Sequence, residues 1–197
     1  MLVGLCGYAR SGKDTAADGL PKGFHRFSFA RPLKEAADGL VAEMLQSVGD
    51  YAKAEEVFTM GTDEFSGEPE IKGVKDQFKP VLRPFYVALG AGMRALIPGY
   101  WITKLALEIE AWEEENSVIT DVRYLNEAKY ILDKGGIVIY IKRPGLKPAN
   151  AEERRSFKEI REAVKARQIK LLKVDNDSDI QTLQERVNSL ITKNTKI

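Results

Sequence analysis

The chain has 197 residues, 44% apolar and 30% charged, the make-up of an ordinary globular protein with room for a substantial core. Lysine plus arginine (30) nearly cancels aspartate plus glutamate (29), which argues against a dedicated surface for a nucleic acid polymer. One cysteine and one histidine exclude an internal disulfide, a multi-cysteine metal site and a His-rich one.

Along the chain, "LVGLC" is a short apolar run bounded by Gly7, which suits a buried strand with Cys6 as a packed thiol. Glycine, Arg10 and Lys13 interrupt this run, unlike a signal peptide, and no stretch approaches the ~18 apolar residues of a membrane span. A cytoplasmic protein without a membrane partner is expected. Lys13 to Leu20 favours a helix that "PKG" stops. "HRFSFA" alternates as a strand does, with His25 as a structural or surface residue, and Pro32 opens a helix through about Leu45.

Residues 49 to 82 are rich in Gly, Pro and charge without a sustained period, and read as loop or a mobile insertion. A helix is expected from about Pro84 to Arg94. Then Ile102, Leu105, Ile109 and Trp112 mark one apolar helical face, with Glu113 to Glu115 as its solvated end. "SVIT" reads as a strand, "NEAKYILDKGG" as a helix closed by glycine, and "IVIYI" as a β-branched strand. A loop, "RPGLKPAN", leads to the charged helix "AEERRSFKEIREAVKARQ" and the strand "IKLLKV". Ile180, Leu183, Val187, Leu190 and Ile191 give an amphipathic C-terminal helix. About five strands alternating with helices imply a three-layer α/β/α sandwich around a parallel sheet, in one domain with a lid or inserted subdomain.

In such sheets ligands lie beyond the carboxyl ends of the strands. After the first strand, Gly7 to Lys13 reads G-x-x-x-x-G-K, a phosphate-binding loop. Gly7 and Gly12 permit close backbone approach, successive N–H groups form an anion cradle, and Lys13 can reach the β- and γ-phosphates of ATP. The residue after the lysine, normally Ser or Thr, is Asp14, and the hydroxyl comes one place late at Thr15, which can donate to the α-phosphate. A carboxylate beside polyphosphate is repelled unless a cation intervenes, so Asp14 either meets Mg²⁺ or complements the helix dipole. After the second strand, Arg31 and Lys34 in "FARPLKEA" can face one cleft. After "SVIT", Asp121 is a candidate metal-positioning carboxylate and Arg123 a phosphate clamp. Further arginines are Arg83 and Arg94, then Arg143, Arg154 and Arg155. Transfer of a phosphoryl group between two nucleotides needs several such charges.

Together these stretches resemble the deoxynucleoside monophosphate kinases of tailed bacteriophages, within the P-loop nucleoside-monophosphate-kinase superfamily. The resemblance lies in "GYARSGKDTAAD", "FARPLKEA", "RPFYVALGAGMR" followed by "YWITKLAL", "ITDVRYLNEA", "IVIYIKRPG" and "VDNDSDIQTL", in that order over nearly the whole chain. That group carries Asp where other phosphate loops carry Ser or Thr. The resemblance implies a P-loop kinase fold, an acceptor-binding helical region over about 35–100 and a helical lid over about 143–168. It implies phosphate transfer from ATP, with Mg²⁺, to a deoxynucleoside monophosphate, in the host cytoplasm if phage-encoded, and a homodimer. By position, Gly7, Arg10, Ser11, Gly12, Lys13, Asp14 and Thr15 would hold the ATP phosphates, with Lys13, Asp121 and Arg123 catalytic. Arg31, Lys34, Arg83, Asp121 and Arg123 would meet the acceptor, and Asp14 and Asp121 the metal. Trp101 would pack beside the acceptor base or in the core. Arg143, Pro144 and Asn176 would flank the adenine, and Arg154 and Arg155 would close from the lid.

Two departures stand out. Val87 occupies a position, one helical turn after Arg83, where the group often has Gln, and "ANAEERRSFKEIRE" lacks a histidine-containing lid pattern. The alternatives are a dephospho-coenzyme A or phosphomevalonate kinase, the latter sharing a G-K-D loop and a D-x-R element, and a nucleotide-binding regulator or assembly ATPase without a small acceptor.

Overall fold

A computed structural model describes residues 1–47, 49, 51–62, 69–112 and 116–194. Two compact units form, one from Met1–Phe29 with Ile102–Ile197 and the other from Ala30–Trp101. The expected end of a helix at Glu113 to Glu115 lies outside the described residues.

The first unit is built on strands β1 (Leu2–Cys6), β2 (Phe24–Phe27), β5 (Asn116–Val122), β6 (Ile137–Lys142) and β7 (Leu172–Asp175). They pair in the order β2-β5-β1-β6-β7, every pair parallel. The apolar runs are short and β-branched because both faces of this sheet are covered. Alternation sorts them: Val3, Leu5, Val118, Ile139 and Ile141 fill one core, and Cys6, Ile119, Val122 and Val138 the other. Helices α1 (Lys13–Asp18) and α8 (Ile180–Asn194) supply Ala16, Leu183, Val187 and Ile191 to the first core. The second core takes Leu105 from α5 (Tyr100–Ala111) and Ala128 and Ile131 from α6 (Leu125–Asp133). It also takes Phe157, Ile160 and Ala163 from α7 (Ala151–Lys165). The fold is therefore α/β, with a five-stranded, all-parallel sheet between helical layers, as in a P-loop kinase. Between Gly4 and Cys6 the β1–β5 register shifts, beside the loop that follows β1.

The second unit holds α2 (Ala30–Ser47), α3 (Tyr51–Val57), strands β3 (Phe58–Thr62) and β4 (Pro69–Val74), a 3₁₀ turn at Asp76–Phe78, and α4 (Lys79–Leu96). Among the described residues Phe58 is its largest fully buried side chain, packed with Ala42, Val57 and Val74. The stretch expected as loop thus contains a helix and an antiparallel pair, Phe58 opposite Val74 and Thr59 opposite Gly73. Both strands are short and carry Gly or Pro, and among the described residues they pair with each other alone, so their brief alternation does not stand out in the sequence. Helix α4 starts earlier than expected, because Pro80 fits a first turn and Pro84 is accommodated within the helix.

Candidate active site

The phosphate-binding pattern occupies the turn from β1 into α1. Gly12 caps α1 with φ at 100°, a left-handed conformation suited to glycine. Gly7 is kept by crowding: a Cβ there would lie 2.5 Å from the carbonyl oxygen of Ile141 and 2.5 Å from Ser11 Oγ. Arg10 adopts φ of 64° between them. The loop is braced from behind, where Asn176 Nδ2 donates to the Ser11 carbonyl at 2.9 Å and the Asn176 N–H to the Lys142 carbonyl at 2.7 Å. Arg143 Nη1 donates to the Arg10 carbonyl at 3.4 Å. Asn176 and Arg143, expected beside the adenine, are thus in contact with the loop itself, while Pro144 lies in the exposed turn after β6. Thr15 is tied through its carbonyl to Gln184 Nε2 at 2.9 Å.

Lys13 Nζ folds back to donate to the carbonyls of Gly7 at 2.8 Å and Tyr8 at 2.9 Å. Burial depresses its pKa, and the nearby Arg123 guanidinium depresses it further, against the opposing pull of Asp14 and Glu153. Among the described residues the Arg123 guanidinium makes no hydrogen bond or ion pair. Two cations therefore press on each other at the mouth of the loop, which an anion between or beside them would relieve. Ser11 Oγ, fully buried and without a hydrogen-bond partner, adds an unsatisfied polar group directly beneath. A loop with these features fits the phosphates of a nucleotide. Cys6, behind it, is pushed up to about 12 by burial and stays an unreactive thiol.

Asp121 ends β5 with both oxygens engaged: Oδ1 accepts the Phe29 N–H at 2.7 Å and Oδ2 the Ser28 hydroxyl at 2.8 Å. It thereby fixes the turn at the end of β2. Arg123 is set by Glu127, which is buried and accepts the N–H groups of Arg123 at 2.7 Å and Tyr124 at 3.0 Å. Asp14 meets the Arg26 guanidinium, a partner absent from both sequence readings of this residue. Among the described residues no group of three or more His, Cys, Asp or Glu side chains is placed to hold a metal. The donor set suits Mg²⁺ carried on phosphate oxygens with one or two carboxylates at its edge, which is how this ion usually binds. Asp14 and Asp121 are the candidates.

The stretch 143–168 divides into an exposed loop and α7. One face of α7, with Ser156, Phe157, Ile160 and Ala163, is built into the core, while Arg154 and Arg155 are exposed on the other. In the second unit, Arg31 pairs with Glu35 at 3.4 Å on α2, and Lys34 and Arg83 are exposed. Trp101 is buried, donating its indole N–H to the Gly90 carbonyl at 3.3 Å and meeting Tyr100 edge-on at 4.8 Å.

Sequence reasoning did not find Arg26, Glu127, Glu152 or Glu153. A signal existed for one: Glu153 follows Asn150 at the three-residue spacing of a helix capping box.

Among the described residues no helix is long and apolar enough to cross a membrane. No protein-family model matches the chain. A protein of Acanthamoeba polyphaga mimivirus described as "Putative deoxynucleotide monophosphate kinase" is 29% identical to it over 163 residues, covering 74% of this chain and 76% of that protein.

Proposed function

We propose that this protein is an ATP-dependent deoxynucleoside monophosphate kinase, converting dNMP and ATP to dNDP and ADP. The coarser statement, a nucleotide kinase, is supported by the likeness to the mimivirus protein and by the fold. The observation that carries the finer one is the pairing of Lys13 with Arg123, on the loops after the neighbouring strands β1 and β5. A kinase needs a second cation there, because the transferred phosphoryl group is neutralised from donor and acceptor sides; a hydrolase can use such an arginine too, and the acceptor dependence of turnover separates the two.

In this reading Gly7 to Thr15 cradle the donor phosphates, and Lys13 leaves the Gly7 and Tyr8 carbonyls to meet them. Arg123 binds the phosphoryl group in flight or the acceptor phosphate. Asp121 acts by holding the end of β2, and Asp14 stands at the edge of the metal carried by ATP. Magnesium supplies charge neutralisation on the phosphate oxygens. Arg31, Lys34 and Arg83 serve the acceptor, and Arg143, Arg154 and Arg155 the donor.

An acceptor screen with a coupled ADP assay tests this, offering dTMP, dGMP, dCMP, dAMP, the ribonucleotides and dephospho-coenzyme A in turn. Turnover with at least one dNMP, lost in Lys13→Ala and Arg123→Ala, is the expected result. Turnover with dephospho-coenzyme A and with no dNMP would sink the proposal. So would ATP hydrolysis that no acceptor accelerates and Arg123→Ala leaves intact.

A further inference from the structure

The first turn of α7 reaches two loops of the candidate site at once. Glu153 Oε1 accepts the Ala9 N–H at 2.8 Å, and its Oε2 accepts the Ala149 N–H at 2.6 Å. Its neighbour Glu152 accepts the hydroxyl of Tyr124. Ala9 directly precedes Arg10 in the phosphate loop, and Tyr124 directly follows Arg123. Asn150 caps the helix by accepting the Glu153 N–H at 2.8 Å. In a capping box the glutamate would turn back to the N–H of the capping residue itself. Here it passes that group and spans to the loop.

The turn is held from below. Phe157 is buried, and its ring meets Tyr8 edge-on with centroids 4.9 Å apart. Glu153 is thus carried on a fixed helix to a fixed point on the loop. Its charge also counts against it, since a carboxylate near a polyphosphate site repels the ligand. The Glu153 carboxylate favours the charged form of Lys13, but its direct hold is on the shape of the loop, where Ala9 leads into the left-handed Arg10.

We propose that Glu153 is a positioning residue for the phosphate loop, which it holds through Ala9 in the shape that accepts the donor phosphates. The inference rests on the reading of that loop as an ATP site. A rival role has the opposite sign. If the carboxylate merely fills the loop until ATP displaces it, removing it tightens binding.

The experiment measures ATP affinity by calorimetry on the whole chain, together with kcat and both KM values, for Glu153→Ala, Glu153→Gln and Glu153→Asp. Glu153→Ala is expected to weaken ATP about tenfold, the equivalent of one charge-assisted hydrogen bond, with kcat and the acceptor KM within about twofold of native. Glu153→Gln keeps a carbonyl oxygen for the Ala9 N–H and sheds the charge, so it restores the affinity. Amide hydrogen exchange at Ala9 should quicken in Glu153→Ala, a readout independent of turnover. Unchanged or tighter ATP binding in Glu153→Ala overturns the proposal. Should that variant not fold, Glu153→Asp carries the test, because one methylene less withdraws the carboxylate from Ala9. Weakened ATP then supports the proposal and native affinity overturns it. A native chain that binds no ATP overturns the nucleotide reading and this inference with it, whereas native binding that Glu153→Ala leaves unaltered overturns this inference alone.

Discussion

The Asp14 carboxylate meets the guanidinium of Arg26, which also reaches Asp18 at 2.9 Å. Asp14 is 75% exposed, and an exposed pair of this kind contributes only about 0–1 kcal/mol. It can therefore exchange Arg26 for a cation at little cost. Asp14→Ala is expected to raise the magnesium concentration for half-maximal transfer by about tenfold, the lower range for a residue supporting a metal. Metal-free ATP binding should hardly change. Titrating magnesium against initial rate at saturating ATP decides it, with Arg26→Ala, which frees the carboxylate, expected to move the curve the other way. Identical curves for native and Asp14→Ala would leave Asp14 only its placement in the first turn of α1.

Asp121 invites a different test, because its oxygens are already spent on Phe29 and Ser28. Asp121→Ala leaves a backbone N–H without its acceptor, at about 1–3 kcal/mol. For a chain of this size that amounts to a fall in Tm of several degrees. Thermal unfolding by circular dichroism reads this directly. Lost turnover with an unchanged Tm would instead make Asp121 a group that acts only on ligand.

Much of this fold was legible because its strands are short, apolar and separated by strongly periodic helices. "LVGLC", "SVIT" and "IVIYI" all lie within parallel strands, and the Ile180 to Ile191 pattern falls within α8. The antiparallel pair in the second unit was illegible because its alternation, as in Phe58-Thr59-Met60, is brief and interrupted by Gly61, Pro69 and Gly73. At the site, the residues on one loop could be read from spacing, as with Gly7, Gly12 and Lys13. Contacts over long sequence separations could not: Glu153 to Ala9 spans 144 residues, and Asn176 to Ser11 spans 165. No local pattern encodes such pairs. The Arg26 partner of Asp14 was illegible for the same reason, since Arg26 comes from β2.

Lys13 carries a pH dependence whose sign follows from its surroundings. Burial first and Arg123 second disfavour its charged form, so its pKa lies below the ordinary lysine value of 10.5. Phosphate binding needs the proton. ATP affinity should therefore fall as pH rises through that lowered pKa. Removing the like charge in Arg123→Ala should move the fall to higher pH, even though overall affinity drops, and Lys13→Met should show no inflection. Binding titrations across the alkaline range check all three. An inflection at the same pH in native and Arg123→Ala would mean that the two cations do not sense each other.

Gly12 permits a test that separates backbone strain from crowding. At φ of 100° a residue with a side chain is strained by about 1–3 kcal/mol. A Cβ at Gly12 would also lie 2.6 Å from Asn176 Nδ2, the atom that donates to the Ser11 carbonyl, and 3.1 Å from Leu183. Gly12→Ala is expected to destabilise the chain by the strain plus about 1 kcal/mol for the displaced hydrogen bond, and to weaken ATP because the loop loses its brace. In an Asn176→Ala background the contact with Nδ2 and that bond are already gone, so Gly12→Ala should cost only the strain and the remaining contact with Leu183. Urea unfolding of the four proteins in this cycle gives the coupling directly. A coupling near zero would mean that the loop accommodates a Cβ without touching Asn176, and that only the left-handed backbone keeps glycine there.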